Sequence, residues 1–386
     1  MTLSVHCGNR RELGRLRTGK FWSTNRASGH RPPRLARGLD HRVMIKEEAT
    51  SETGEGETPG YEALADVPVQ MVNTYARMWQ LEIWLRTMVY VELRALLGDD
   101  WAAGLNQNSN SFQADKSLTH MPTAEMNALS YAQLSQLLKL IDANWNCFAT
   151  YFPPKALWEA KLQEISQIRH RTAHFRVGHA DDLARLKQFL RDIDKGFWRF
   201  CTSYNEMDPL LPQDRDPVTK HFLPLDPLPW VEFEPKKWAQ IGIRDKSLPV
   251  GLSVRAQQRP WADDPFGAGK PGGLYDLYLF AQDGRAFDLP RFLEATQRRH
   301  KHLVHIGLES GGASVRLTIP SVLGATRVIE VTQYFYDAAV NASRRGRSFD
   351  AAATNALADR WPEYVIGSNN PLTFLEPGMP CSFFTV

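Results

Sequence analysis

Two histidines and three arginines lie close together in the stretch QIRHRTAHFR, residues 167–176. Histidine exchanges protons near neutral pH, so His170 and His174 can serve as a general base or acid. Arginine keeps its proton, and its planar fork of donors suits a phosphate group and the charge that develops on it during a displacement. The stretch therefore predicts a site for a phosphate-bearing substrate, a metal site, or a solvated cluster of charge at a helix end.

A metal site is the least favoured of these three interpretations. His170 and His174 are four residues apart, which would place both on one face of a helix, as in zinc peptidases. The residues between them are Arg-Thr-Ala, so the Glu that those enzymes use as a base is missing, and the neighbouring arginines would repel a divalent cation. A second cluster, HKHLVH at residues 300–305, contains no acid or Cys, which favours packing or a basic surface. We predict no metal and no other cofactor.

Helical segments position the first cluster. Apolar side chains recur at helical spacing over residues 67–97, 130–148, 155–172 and from 181 or 182 to 200. The cluster closes the third of these segments, and Gly178 interrupts the chain before the fourth. Residues 61–205 therefore predict an antiparallel helical bundle with the histidines and arginines at the end of one helix.

The chain changes character after this bundle. Six prolines between Pro209 and Pro229 predict a linker over residues 206–229, without helix or central strand. Short alternating or β-branched stretches follow at 250–256, 274–281, 302–308 and 313–319, and helical spacing returns at 289–299, 321–343 and 349–360. We predict a separate mixed α+β domain over residues 230–386, and an α+β class for the chain.

The composition is that of a folded protein. Hydrophobic residues make up 43% of the chain and aromatic residues 11%, whereas the apolar runs are interrupted by charge before the roughly 18 residues that a membrane span needs. The four cysteines show no metal-ligand spacing, which favours reduced thiols and a cytoplasmic location without a membrane partner. Residues 1–43 contain ten Lys/Arg and two Asp/Glu. We predict that residues 1–60 are a disordered extension, or that translation starts later, at Met44.

The segment LWEAKLQEISQIRHRTAHF, residues 157–175, resembles the motif helix of the HEPN superfamily (higher eukaryotes and prokaryotes nucleotide-binding). In that motif an Arg, commonly followed by Asn, precedes a His by four to six residues. Arg169 and His174 match the two motif positions, and His170 stands where Asn is usual. The resemblance covers residues 61–205 and is nearest to HEPN domains of bacterial toxin and abortive-infection proteins.

This resemblance implies a four-helix HEPN bundle that cleaves RNA without a metal. Arg169 and His174 are the implied catalytic residues, with His170, Glu82 and Arg86 as accessory residues. The 2′-OH attacks the adjacent phosphate and leaves a 2′,3′-cyclic phosphate and a 5′-OH. Family members pair so that two motifs face one cleft, which implies a homodimer. A toxin-like or antiviral defence role follows, with an antitoxin or regulatory partner.

The alternative is a non-catalytic HEPN module that binds nucleotide or RNA, or regulates a paired defence system.

The spacing of the two motif residues sets a geometric condition. On a regular helix, Arg169 and His174 point about 140° apart, because each residue advances about 100°. They can converge on one phosphate only if His174 lies beyond the last regular turn, which the nearby Gly178 permits.

Other basic residues are candidates to hold the RNA backbone. They are Arg171, Arg176, Arg298, Arg299, Lys301, Arg344 and Arg345. Solvated surface charge is the alternative interpretation of all seven.

Overall fold

The computed structural model describes residues 67–103, 105, 110–120, 127–205, 216–234, 237–240, 248–346, 349–375 and 382–384. The predicted extension over residues 1–60 lies outside them. The described residues fall within one compact unit, Leu64–Val386. This unit has a helical N-terminal region and a C-terminal region that contains the sheet, which confirms the mixed α+β class. Within the described residues, no helix combines the length and apolar character needed to cross a bilayer.

Helix α1 is the central element of the N-terminal region. The helices there are α1 (Val69–Leu97), α2 (Asn110–Ser117), α3 (Leu134–Ala143), α4 (Trp145–Phe148), α5 (Lys155–Ala173) and α6 (Asp182–Tyr204). Helix α1 packs against α3, α5 and α6. Its residues Leu81, Leu85 and Met88 are fully buried and follow the spacing that predicts this helix. The segment predicted as one helix over 130–148 is divided between α3 and α4 at Asn144.

The C-terminal region is built around a five-stranded sheet. Its helices are α7 (Pro217–Phe222), α8 (Leu289–Thr296), α9 (Ala325–Ala342), α10 (Ala351–Arg360) and α11 (Pro371–Phe374). Its strands are β1 (Trp230–Glu234), β2 (Lys237–Gln240), β3 (Val250–Gln258), β4 (Gly273–Ala281), β5 (Arg285–Phe287), β6 (His305–Leu308), β7 (Ser314–Pro320), β8 (Ser343–Arg345) and β9 (Val365–Ile366). The sheet has the order β3-β4-β7-β6-β9, with β6 and β9 parallel and the other neighbours antiparallel. Separate antiparallel pairs join β1 to β2 and β5 to β8.

Helix α7 forms inside the segment where the proline density predicts no helix. Pro217 stands in its first turn, where a missing N–H costs nothing. The carboxylate of Asp216 caps the helix by accepting a hydrogen bond from the backbone nitrogen of Thr219 at 2.9 Å. Val218 and Phe222 are buried in the core that also contains residues of β3 and β4. In residues 216–225 the prolines therefore begin an element instead of preventing one.

Successive side chains of β4 point to opposite faces of the sheet, and the two faces differ in their contacts. Tyr275, Leu277 and Leu279 lie in the hydrophobic core shared with α8 and α9. Asp276, on the opposite face, accepts hydrogen bonds from Nε and Nη2 of Arg316, both at 3.0 Å. Arg316 also donates to the backbone carbonyl of Tyr204 on α6 at 2.6 Å. The sheet therefore lies between α8 and α9 on one side and the helical region on the other.

A buried ion pair joins α1 to the sheet region. Glu92 on α1 and Arg259, just after β3, both have fully buried side chains and lie 2.5 Å apart. The same carboxylate accepts hydrogen bonds from the indole of Trp261 at 2.5 Å and the hydroxyl of Tyr151 at 2.9 Å. Removing one partner of such a pair leaves a buried charge uncompensated, which costs about 3–5 kcal/mol. The helical and sheet regions are thus firmly attached through α1.

The second histidine cluster is packed inside the protein. His300, His302 and His305 are all buried. Nε2 of His300 lies 3.0 Å from the hydroxyl of Thr296, and Nδ1 of His302 lies 2.6 Å from the carboxylate of Asp99. Burial lowers the pKa of His300 to about 4 and that of His305 to about 3, so both rings are neutral at pH 7. The strand predicted over 302–308 begins only at His305, because a 3-10 helix, Gln297–His302, precedes it.

Candidate functional site

Helix α5 ends one residue before the second histidine of the motif. His174 takes the C-cap position, with φ −103° and ψ 17°, and Phe175 follows in the left-handed region with φ 52°. The backbone nitrogen of Phe175 donates to the carbonyl of Thr172 at 3.2 Å, and that of Arg176 donates to the carbonyl of Arg171 at 3.0 Å. These two bonds define a Schellman motif, which satisfies carbonyl groups at the helix end. His174 therefore lies beyond the last helical residue, and the turn that places it there forms at Phe175, ahead of Gly178.

Arg169 is held against α1 by Glu82. Its Nε donates to Oε1 of Glu82 at 3.0 Å, while Nη2 of Arg86 donates to Oε2 of the same carboxylate at 3.0 Å. Arg86 is itself fixed by the backbone carbonyls of Leu129 and Ala132, at 3.1 and 3.0 Å. Among the described residues, the two terminal nitrogens of Arg169 have no hydrogen-bond partner. One carboxylate thus orients the guanidinium while its forked end stays available to an anion.

The two histidines of the motif are neighbours at the surface. Their ring centroids lie 4.5 Å apart with the planes inclined by 68°. Partial desolvation, followed by the positive charges of His174, Arg176 and Arg169, lowers the pKa of His170 from its ordinary value. His170 is therefore favoured in its neutral form, which is the form that accepts a proton. His170 thus lies directly beside His174.

Arg171 points to a different partner. Its Nε and Nη2 donate to the two carboxylate oxygens of Asp182, at 3.1 and 2.5 Å. Burial alone would raise the pKa of Asp182, but hydrogen bonds from Arg171 and from the backbone nitrogen of His179 outweigh it and hold this pKa below its ordinary value. The pair ties the end of α5 to the start of α6. Of the two basic residues predicted here as phosphate contacts, Arg176 is therefore the better candidate.

A groove of about 540 Å³ lies beside the end of α5. It is lined by Val67, Pro68, Gln70, Met71, Phe175, Arg176, Val177, Gly178, His179 and Ala180. The amide of Gln70 donates to the carbonyls of His179 and Ala180, at 3.2 and 2.7 Å, which fixes the loop to α1. Phe175 and Val177 are 94% and 95% exposed. Sequence reasoning missed this groove, and the available signal was two apolar side chains within an otherwise basic turn.

The remaining predicted RNA contacts lie in the sheet region, away from Arg169 and His174. They are Arg298, Arg299 and Lys301 on the 3-10 helix after α8, and Arg344 and Arg345 on β8. The guanidinium of Arg299 lies over the ring of Tyr334, 5.6 Å from its centroid. The backbone carbonyl of Lys301 accepts a hydrogen bond from Arg94 at 3.0 Å. Arg94 follows Glu82 by twelve residues, about 18 Å along α1, so the first group does not join the site.

Comparisons of the chain with protein-family models, with curated proteins and with solved structures found no match. The site is therefore interpreted from its own chemistry. It combines an oriented guanidinium with free donors, two adjacent imidazoles and an apolar groove. Within the described part of the chain, no group of three or more His, Cys, Asp or Glu residues is arranged to hold a metal ion. Such a set of residues can bind a phosphate and exchange protons with the atoms attached to it.

Proposed function

We propose that this protein is a metal-independent endoribonuclease of the HEPN type, with its site at the end of α5. The observation that carries the proposal is the hydrogen bond from Arg169 to Glu82, which orients a guanidinium with free terminal donors on the helix whose end carries two exposed, neighbouring histidines. Arg169 holds the non-bridging phosphate oxygens and stabilises the charge that builds up on them. The substrate is RNA, because its 2′-OH supplies an internal nucleophile.

Two proton transfers complete the reaction. One histidine takes the proton of the 2′-OH as that oxygen bonds to phosphorus. The bond from phosphorus to the 5′-oxygen then breaks, and a protonated histidine gives its proton to the leaving oxygen. His170, whose lowered pKa favours the neutral ring, suits the first step, and the second step is assigned to the other histidine of the pair, His174. The products are a 2′,3′-cyclic phosphate and a 5′-OH.

The proposed enzyme acts as a homodimer through α1. One side of α1 exposes a run of large apolar residues, Val69, Val72, Tyr75, Trp79 and Ile83, with exposed fractions between 38% and 74%. Their spacing of three or four residues makes a continuous stripe on the helix, and such patches mark protein interfaces. Glu82 adjoins this stripe, so a second copy docked there brings a second Arg169 and His174 toward the first pair.

The biological role that we propose is toxin-like or antiviral defence in the cytoplasm, with an antitoxin or regulatory partner. A second candidate is a non-catalytic HEPN module that binds RNA or regulates a paired system. It is favoured by the fact that the Arg169 Nε already serves an ion pair between α1 and α5. In that case substitutions at the motif would weaken RNA binding or assembly, with no cleavage to lose.

The deciding experiment is end-mapping of RNA incubated with the purified full-length protein in EDTA. The wild-type protein is expected to create new 2′,3′-cyclic phosphate ends, and Arg169→Ala and His174→Ala are each expected to abolish them. Arg185→Ala, which removes an exposed pair with Glu164 on the neighbouring helix, is the matched control. Cleavage by both motif variants at the wild-type rate would refute the site. RNA binding without cleavage by the wild-type protein would favour the binding module.

A further inference from the structure

We infer that the groove beside α5 receives a base of single-stranded RNA, stacked on Phe175 next to the scissile phosphate. The inference rests on the proposed function for the identity of that phosphate.

The backbone at Phe175 has a conformation that favours glycine. Its φ of 52° lies in the left-handed region, and position C′ of a Schellman motif is most often Gly. The other described non-Gly residue with positive φ is Asp283, followed by Gly284, and a short polar side chain tolerates this conformation far better than a Phe. Burial of the Phe175 ring does not offset this unfavourable conformation, because 94% of the residue's surface is exposed. Strained residues of this kind concentrate at functional sites.

The groove has the size and lining of a site for a flat, aromatic ligand. Its volume of about 540 Å³ falls within the range of small-molecule sites, about 300–1,000 Å³. Val67, Pro68 and Met71 give it apolar walls, and Phe175 adds an aromatic ring. Bases stack on aromatic side chains with little regard for sequence, and only an unpaired base is free to do so.

Charge selects a nucleic acid over an apolar segment of a protein. Residues 174–180 carry two histidines and one arginine and contain no acid. Arg176 lines the groove itself, and Arg169 with its free terminal donors lies on the adjoining helix. A strand that places a base against Phe175 therefore meets Arg176 in the groove, and Arg169 is a second cation on α5. This combination of cations and an aromatic ring suits the alternation of phosphates and bases.

The test uses 2′-O-methyl oligoribonucleotides, which lack the nucleophile and so cannot be cleaved by the proposed reaction. Their affinity for the full-length protein is measured by fluorescence anisotropy, with 2-aminopurine in place of one base to report stacking. Phe175→Ala is expected to weaken binding by about tenfold or more and to remove the 2-aminopurine quenching. Phe175→Trp is expected to keep both, whereas Phe175→Leu is expected to lose them. Leu157→Ala, at an exposed apolar position earlier on α5, is the control.

Several results would overturn the inference. The first is unchanged affinity in Phe175→Ala. The second is full rescue by Phe175→Leu, which would indicate an apolar contact with protein. The third is an affinity loss that only follows dissociation of a dimer, as measured by sedimentation of the same variants. Failure of the proposed function gives a different result. If the wild-type protein binds RNA through Phe175 but does not cleave natural RNA, the nuclease proposal is refuted and the base-binding groove is retained.

Phe175→Gly separates function from folding. Because glycine suits the left-handed conformation, this variant is expected to melt at or above the wild-type temperature while binding RNA as weakly as Phe175→Ala. A lower melting temperature would indicate a structural role for the ring and overturn the inference.

Discussion

Glu82 accepts hydrogen bonds from two arginines on different helices, Arg86 on α1 and Arg169 on α5, each at 3.0 Å. The carboxylate is largely buried and Arg169 is about one-third exposed. This arrangement fixes the direction of the proposed catalytic cation and leaves its two terminal nitrogens without a hydrogen-bond partner among the described residues. An oriented cation affects the reaction rate more than the free energy of unfolding, because it stabilises charge that develops only in the transition state.

We therefore predict that Glu82→Gln lowers the rate of RNA cleavage by about 10- to 100-fold, because the neutral amide no longer holds Arg169 in place. The cost in stability is expected to be about 1 kcal/mol or less, since the pair is partly exposed. Single-turnover cleavage and thermal unfolding measure the two effects. Glu164→Gln, on α5 and paired with the exposed Arg185, should change neither. An unaltered rate in Glu82→Gln would remove the carboxylate from the mechanism.

Arg171 and Arg176 are expected to behave differently despite their proximity. Arg176→Ala should reduce the slope of log affinity against log salt by about 1 for single-stranded RNA, because one phosphate contact is lost. Arg171→Ala should leave that slope unchanged and lower the free energy of unfolding by about 1–3 kcal/mol, because it leaves Asp182 without its charged partner. Binding titrations between low and moderate salt, with denaturant unfolding, distinguish the two. Equal slopes for both variants would contradict this assignment.

The exposed stripe on α1 predicts the oligomeric state. Trp79→Glu places a charge in the middle of that stripe and should convert the dimer to a monomer, with loss of cleavage. Sedimentation velocity over a range of concentrations measures the first effect. Leu157→Glu introduces the same charge at an exposed apolar position on α5 and should leave the dimer intact. A wild-type protein that sediments as a monomer at all concentrations would reject the dimer.

Stability is expected to fall with acid through the buried histidines. His300 binds its proton near pH 6.5 in an unfolded chain but only near pH 4 in the folded protein, because burial disfavours the charged ring. Between these values the unfolded state binds more protons, so His300 lowers the stability as the pH falls from 6.5 toward 4, by up to about 1.4 kcal/mol for each pH unit. Denaturant unfolding at pH 7 and at pH 5 measures this effect. In His300→Gln the free energy of unfolding is expected to change less between these two pH values, because the contribution of His300 is gone. His120→Gln, at an exposed position, is the control for the substitution itself.

The helices that the sequence predicts best are those whose buried residues recur on one face. Leu162, Ile165 and Ile168 of α5, and Leu186, Leu190 and Ile193 of α6, are all buried at helical spacing. The strands β3, β4 and β7 are marked by their β-branched and alternating residues. Helix α7 escapes prediction because Pro217 is a strong breaker inside a helix and a favourable residue in its first turn. Composition alone cannot distinguish these two positions.

The residues of the candidate site that form a local motif are those that the sequence alone could single out. Arg169, His170 and His174 are adjacent in the chain, and Glu82 and Arg86 lie one helical turn apart. Phe175 belongs to no such motif, since a left-handed helix end is usually marked by glycine, and its one signal is that it is an apolar residue within a basic turn. The pair of Glu92 and Arg259 spans 167 positions, and no periodicity links residues so far apart.

Helix α1 makes ion pairs with both the helical region and the sheet region. Glu82 carries the site, and Glu92, ten residues or about 15 Å further along the same rigid helix, carries the buried attachment to the sheet region. One helix therefore supplies both the carboxylate that orients Arg169 and the carboxylate that anchors Arg259, so the candidate site is built on the same element that attaches the sheet region.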